Sequence, residues 1–145
     1  MVYEADTELE SEFTLNALYA ANFGVPSVFI AGDKAVCEHA AQRCPHITTL
    51  PVKEGTGNST WSMHPQDAVS EIKAGVKESL QKISLIEPRE LIKPEYKLDL
   101  YFKEHRAARA AAWYPGAERI DTTHVRYVAK DVMELMIAKM FMTEI

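Results

Sequence analysis

A single carboxylate stands where an apolar helix should begin: Glu12, within Ser11-Glu12-Phe13-Thr14-Leu15-Asn16-Ala17. A carboxylate in that position can hold a metal ion. It can equally do no more than face the unpaired N–H groups and positive end of the helix dipole, with Ser11 as the N-cap. Local chemistry alone favours the second role. Cys37 and Cys44 share one expected helix, seven residues apart. At a rise of 1.5 Å per residue they are ~10 Å apart along its axis, too far for a disulfide, so both should be reduced. His39 and His46 lie nearby, but neither C-x-x-C nor H-x-x-x-H spacing is present, which argues against a structural metal there. No G-x-S-x-G or H-E-x-x-H occurs, so a serine nucleophile elbow or a zinc helix has no support. His105 beside Glu104 and His124 between Thr123 and Val125 read as surface or strand positions, and His64, next to Pro65, as structural.

The longest polar stretch is Lys53 to Met63, read as a loop, in which Gly55 and Gly57 alternate with Thr56, Asn58, Ser59 and Thr60. Bare backbone N–H groups of such a stretch can cradle a phosphate. A Walker loop, however, needs G-x-x-x-x-G-K-[ST] running straight into a helix. Here Asn58 follows the second glycine and the helix waits until Pro65, so nucleotide binding is disfavoured.

The run from Glu12 to Asp33, E-F-T-L-N-A-L-Y-A-A-N-F-G-V-P-S-V-F-I-A-G-D, resembles the zinc D-aminopeptidases, metallopeptidases that remove D-amino acids from peptide N-termini. The likeness continues through Thr48-Thr49, Val52-Lys53-Glu54-Gly55, His64-Pro65, Tyr114-Pro115-Gly116 with Glu118-Arg119, and the terminal Ala129-Lys130-Asp131 helix. Each motif is weak alone, but together they cover nearly the whole chain. The resemblance implies two zinc ions that bind the N-terminal amine and carbonyl of a short D-peptide and activate a water. It carries over Glu12 as a metal ligand, suggests Asn16, one turn later, as a contact to substrate or ligand, and makes Gly55, Gly57 and Asn58 a wall of the substrate cleft. Relatives often show Gly-Arg where this chain has Gly57-Asn58. In that family an Asp-x-Glu after the first strand and several histidines, all in the first half, build most of the site. No position here matches them; Asp6-Thr7-Glu8 spells Asp-x-Glu but does not close an apolar strand, and reads as coincidence. The resemblance therefore implies a C-terminal half, inactive alone, whose partner is a complementary N-terminal half or sister subunits in a homo-oligomer. The competing reading is a non-catalytic binding or oligomerisation module, because Ser11 and Thr14 stand where the family has glycines.

The elements that must position these residues spell an α/β chain, expected as a single domain over 1–145, in three layers (α/β/α) around a mixed, largely parallel sheet. Ser11 to Phe23 is amphipathic and is stopped by Gly24 and Pro26. Ser27 to Ala31 is a continuous apolar strand of the kind buried on both faces. Asp33 caps a helix ending near Pro45, and Ile47 to Val52 is a second strand, giving a unit of the length a parallel crossover needs. Pro65 opens a helix with the stripe Val69, Ile72, Val76, Leu80, Ile83. After a connector from Leu85 to Tyr96, Tyr96 to Phe102 alternates as a half-exposed antiparallel strand does. Arg106 to Ala112 is a short helix, Ala117 to Ala129 a strand or hairpin about Asp121-Thr122-Thr123, and Asp131 caps a final helix, apolar nearly all round.

At 145 residues, 47% hydrophobic and 26% charged, the chain can bury roughly 68–70% of its unfolded surface around one core. Its net charge of −5 argues against a nucleic-acid partner, which needs concentrated Lys and Arg. The one basic cluster, Lys103, His105, Arg106 and Arg109, is broken by alanines. No apolar run approaches a membrane span and the N-terminus is acidic, so no membrane association and a cytoplasmic location are expected.

Overall fold

The computed structural model describes residues 2–5 and 8–144; Asp6 and Thr7 of the Asp-x-Glu triplet lie outside the described residues. The chain forms two compact units, one of residues 1–22 with 91–145 and one of residues 23–90.

In the first unit the strands run in the order β2-β1-β6-β8-β7, with β1 (Val2–Ala5), β2 (Glu8–Glu10), β6 (Tyr96–Tyr101), β7 (Glu118–Arg119) and β8 (His124–Ala129). Every pair in it is antiparallel. The half-exposed strand expected at 96–102 is instead central. With β1 on one side and β8 on the other, Tyr96, Leu98, Asp99 and Leu100 are all buried. The core gathers Leu98 and Leu100 with Val125, Tyr127, Ala129, Val132, Leu135 and Met142. Helix α4 (His105–Ala111) reaches it through Ala108 and Ala111, small enough to bring the backbone close.

Helix α1 (Glu12–Asn22) buries Leu15, Ala17 and Ala21 and packs on α5 (Val132–Thr143). Gly24, at φ +73, ends the α1 segment as expected of a glycine past the C-terminus. Asp131 caps α5 by accepting from the Glu134 N–H at 2.8 Å. Only one side of α5 is covered, by way of Val132, Leu135, Ala138 and Met142; Met133, Ile137, Met140 and Phe141 are exposed.

The second unit contains β3 (Phe29–Asp33), α2 (Lys34–Arg43), β4 (Thr48–Thr56), β5 (Ser59–Ser62) and α3 (Pro65–Gln81). Asp33 caps α2 as expected, accepting from Ala35 N at 2.8 Å. Strands β3 and β4 are parallel and β4 and β5 antiparallel. The largely parallel sheet is thus corrected to two small sheets, one antiparallel and one mixed, with a single parallel pair between them. The reason lies in the connections: only α2 makes a helical crossover, while short turns join β4 to β5 and β7 to β8 and force antiparallel pairing.

Three local expectations also change. Lys53 to Met63 is a hairpin, not a loop: Thr56 faces Ser59 across the two-residue turn Gly57-Asn58, with Gly57 at φ +60. Strand β3 is only partly buried along its whole length, although a fully buried strand was expected. Most of the α3 stripe points outward, with Val69, Val76, Leu80 and Ile83 exposed and Ile72 alone half-buried. The covered face of α3 carries Ala68, Ile72, Gly75 and Ser79, and a Cβ on Gly75 would sit 2.5 Å from Phe29 Cε2.

Candidate functional site

Glu12 is the first residue of α1, and Asn16 follows one turn later; both side chains are exposed, on one face of the helix. Neither has a hydrogen-bond or ion-pair partner among the described residues. Beside them the helix start is closed by a reciprocal cap. The Thr14 N–H donates to Ser11 Oγ (3.3 Å), the Ser11 N–H to Thr14 Oγ1 (2.9 Å), and the Thr14 hydroxyl to the Ser11 carbonyl (2.9 Å). This is a capping box with Thr in place of the usual Glu or Gln. The Glu12 carboxylate is therefore not consumed in capping and remains open.

Gly55, Gly57 and Asn58 lie in the second unit, at the exposed end of the β4–β5 hairpin. A positive φ at the first of two turn residues suits the right-handed twist of a tight hairpin, which accounts for Gly57. The Ser59 hydroxyl donates to the Thr56 carbonyl at 2.9 Å across the turn. At the base of the arm Lys34 Nζ meets Glu54 Oε1 at 2.8 Å, an exposed ion pair. Gly-Asn between two β-rich runs is itself a hairpin signal, and it went unread in the sequence beside the glycine spacing.

The most tightly built polar cluster was not anticipated. Asp99, only 2% exposed in the middle of β6, receives Arg126 as a fork, Nε to Oδ1 at 2.8 Å and Nη2 to Oδ2 at 3.2 Å. His124 Nε2 lies 2.5 Å from the same Oδ1. The register explains the cluster: Asp99 faces Arg126, and Tyr101 faces His124 and stacks on its ring at 4.3 Å. Burial pushes the Asp99 carboxyl upward, but the hydrogen bonds from Arg126 and His124, and their charge, outweigh it and hold the group below its ordinary value. His124 is thus a strand position, as expected, but a buried one. Asp121 sets the turn before it, accepting from the N–H groups of Thr123 (2.7 Å) and His124 (2.8 Å). Asp99 lies about 25 positions from His124 and Arg126, so no local spacing points to the cluster.

A second cluster joins β8 to α5. The Tyr127 hydroxyl donates to Glu134 Oε1 and the Lys130 N–H to Oε2, both at 2.7 Å. Donating that hydrogen bond to Glu134, with burial and the charge of the carboxylate, holds the phenol proton and pushes the Tyr127 pKa up to about 12. The backbone bond from Lys130, then the one from Tyr127, hold Glu134 low. Both cysteines are free, and burial raises each thiol.

Among the described residues no three His, Cys, Asp or Glu side chains come together to hold a metal. A zinc ion takes about four ligands; Glu12 offers one open carboxylate. Among the described residues the ligand set of a zinc centre is not complete.

The profile of the D-aminopeptidase family matches residues 4–141, so the chain belongs to that family. It is 30% identical over 140 residues to the D-aminopeptidase of Bacillus subtilis (strain 168), covering 92% of this chain and 49% of that protein. A solved structure, described as the zinc-dependent D-aminopeptidase DppA from Bacillus subtilis, a self-compartmentalizing protease, superposes with a TM-score of 0.89 at 27% identity. That match covers 99% of this chain and 53% of the other. The chain spans about half the length of these relatives. No helix among the described residues is long and apolar enough to cross a membrane.

Proposed function

We propose that these 145 residues act as the C-terminal half of a zinc metallo-aminopeptidase that removes N-terminal D-amino acids from short peptides. The observation that carries this reading is the open Glu12 carboxylate at the start of α1, inside a family match over residues 4–141. Glu12 contributes one zinc ligand, and the remaining ligands come from an N-terminal half or a partner chain. Asn16 touches substrate or supports the ligand, and Gly55, Gly57 and Asn58 wall the substrate cleft. Bound zinc supplies Lewis acidity and lowers the pKa of a water. This chain's own residues hold one ligand and shape the cleft.

Self-association accompanies the reading. Met133, Ile137, Met140 and Phe141 leave an apolar face on α5, the kind of surface that marks an interaction site. The Bacillus subtilis relative, described as self-compartmentalizing, supports a homo-oligomer. The working location is the cytoplasm.

A second reading, a non-catalytic module that keeps the family fold, draws on one observation. The Ser11–Thr14 cap fills the helix start with side chains where the family pattern has glycines. The test is a D-alanyl amide assay, with and without the other half of the fold. Zinc-dependent turnover on completion supports the enzyme; a completed assembly that binds no zinc supports the module.

A further inference from the structure

Strand β3 has an inside sequence at an outside position. Successive side chains of a strand point to opposite faces. Phe29 meets Gly75 of α3, whereas the Cβ direction of Gly32, of opposite parity, meets Val36 of α2 at 3.2 Å. Helices therefore cover both faces of the strand, and Val28-Phe29-Ile30-Ala31 is apolar throughout, as in strands flanked by strands on both edges. Yet the order β3-β4-β5 leaves β3 outermost, and all its residues are only partly buried.

The ladder shows which groups are left over. The Thr48 N–H donates to the Val28 carbonyl at 3.0 Å, so Val28, Ile30 and Gly32 direct their backbone groups to β4. Phe29 and Ala31 direct theirs to the open edge. Exposed edges are normally blunted by charge, proline or a bulge. From Phe29 to Ala31 there is no charge and no proline, and the one register shift lies beyond, at Gly32/Asp33. The opposite edge, β5, is a four-residue exposed hairpin strand, polar except for Trp61.

We propose that the free edge of β3, at Phe29 and Ala31, receives a strand from the half of the family fold outside these 145 residues, on the same polypeptide or another. The inference rests on the reading that another half completes the fold. One fact selects that occupant over a second copy of this chain, and another fixes how it docks. The relatives are about twice as long, so a comparable body of chain remains to be placed. With both faces already under α2 and α3, the sheet can grow only sideways, by strand addition.

The experiment is amide hydrogen exchange on the 145-residue chain, alone and with the unmatched half of the Bacillus subtilis D-aminopeptidase added as a separate polypeptide. Light scattering reports binding independently. Phe29 and Ala31 amides should exchange fast in the chain alone and at least tenfold more slowly in the complex, while Ile30 is protected in both. Ala31→Pro, placed where an edge strand tolerates proline, should weaken binding at least tenfold and leave Ile30 protected. If the half binds and the Phe29 and Ala31 amides stay fast, this inference falls and the completed-fold reading stands. Absence of binding overturns both. Protection already present in the lone chain and lost on dilution assigns the edge to a second copy and overturns the proposal.

Discussion

Replacing Asp99 by asparagine tests how the first unit is held together. The side chain keeps its shape, but it loses its charge and turns one oxygen into an NH2 group. Whichever way that amide is turned, it sets a donor against a donor, because Oδ1 and Oδ2 both accept from Arg126 and Oδ1 also meets His124. Hydrogen bonds to a charged group contribute about 1.5–3 kcal/mol, and leaving buried donors unpaired adds to the loss. Arg126 is 35% exposed, so water recovers part of it. The expected cost of Asp99→Asn is about 2–3 kcal/mol, or a thermal midpoint lower by roughly 5–10 °C. The pH dependence has a definite sign. The Asp99 pKa is lowered by folding, so its contribution is full above the unfolded value of about 3.9 and disappears as acid titrates the folded carboxylate. Urea unfolding followed by circular dichroism from pH 7 down to pH 2 should show the gap between the two proteins full above about pH 5 and closing below. A loss under about 0.5 kcal/mol, smaller than a single neutral hydrogen bond, or a gap unchanged in acid, would refute the assignment.

Three further outcomes are expected. Gly75→Ala pushes a methyl into the Phe29 ring, whose nearest atom lies 2.5 Å from the new Cβ, and should cost about 1–3 kcal/mol. Phe29→Leu should recover part of that in a double-mutant cycle, and additive effects would count against the contact. Ser11→Ala and Thr14→Ala should each cost about 1 kcal/mol, with the pair costing less than the sum because the two side chains serve one cap; full additivity would contradict a reciprocal cap. Tyr127 should titrate near 12, and Glu134→Gln should bring it down, read from tyrosine carbon shifts. Because folding raises this pKa, the associated stability is full below about pH 10 and is lost as pH climbs toward 12, the reverse of Asp99; a Tyr127 that titrates at the ordinary tyrosine value of about 10 removes the interaction.

Helix ends were legible in the sequence because capping is local: Asp33 and Asp131 accept from N–H groups two and three residues on, and Gly24 takes the positive φ that ends α1. What depended on neighbours was not. The alternation of Tyr96 to Phe102 is the same in an edge strand and a central one, and only pairing with β1 and β8 buries Asp99. The β1 and β2 strands carried no pattern that was read. Gly57-Asn58 carries glycine spacing that suits an anion loop as well as a hairpin turn, and only the pairing of β4 with β5 decides for the turn. The apolar stripe of α3 has the right period, but all of it except half-buried Ile72 is exposed, because the close approach to Phe29 of the sheet is made at Gly75. Of the expected site, Glu12 and Asn16 do share one exposed helix face. The Asp99 cluster joins residues about 25 positions apart, and no local spacing announces it.

The account turns on Glu12 as a zinc ligand. The direct measurement is calorimetric zinc titration of the assembly formed with the unmatched half of the Bacillus subtilis relative, comparing the natural chain with Glu12→Gln. Loss of one carboxylate from a site of about four ligands should weaken zinc binding at least tenfold and abolish D-alanyl amide turnover. If Glu12 is only a helix-dipole partner, the change should cost a few tenths of a kcal/mol of stability and leave zinc binding unaltered. Equal zinc affinity and activity in the two assemblies, or chelator-sensitive turnover by the 145-residue chain alone, would contradict the account.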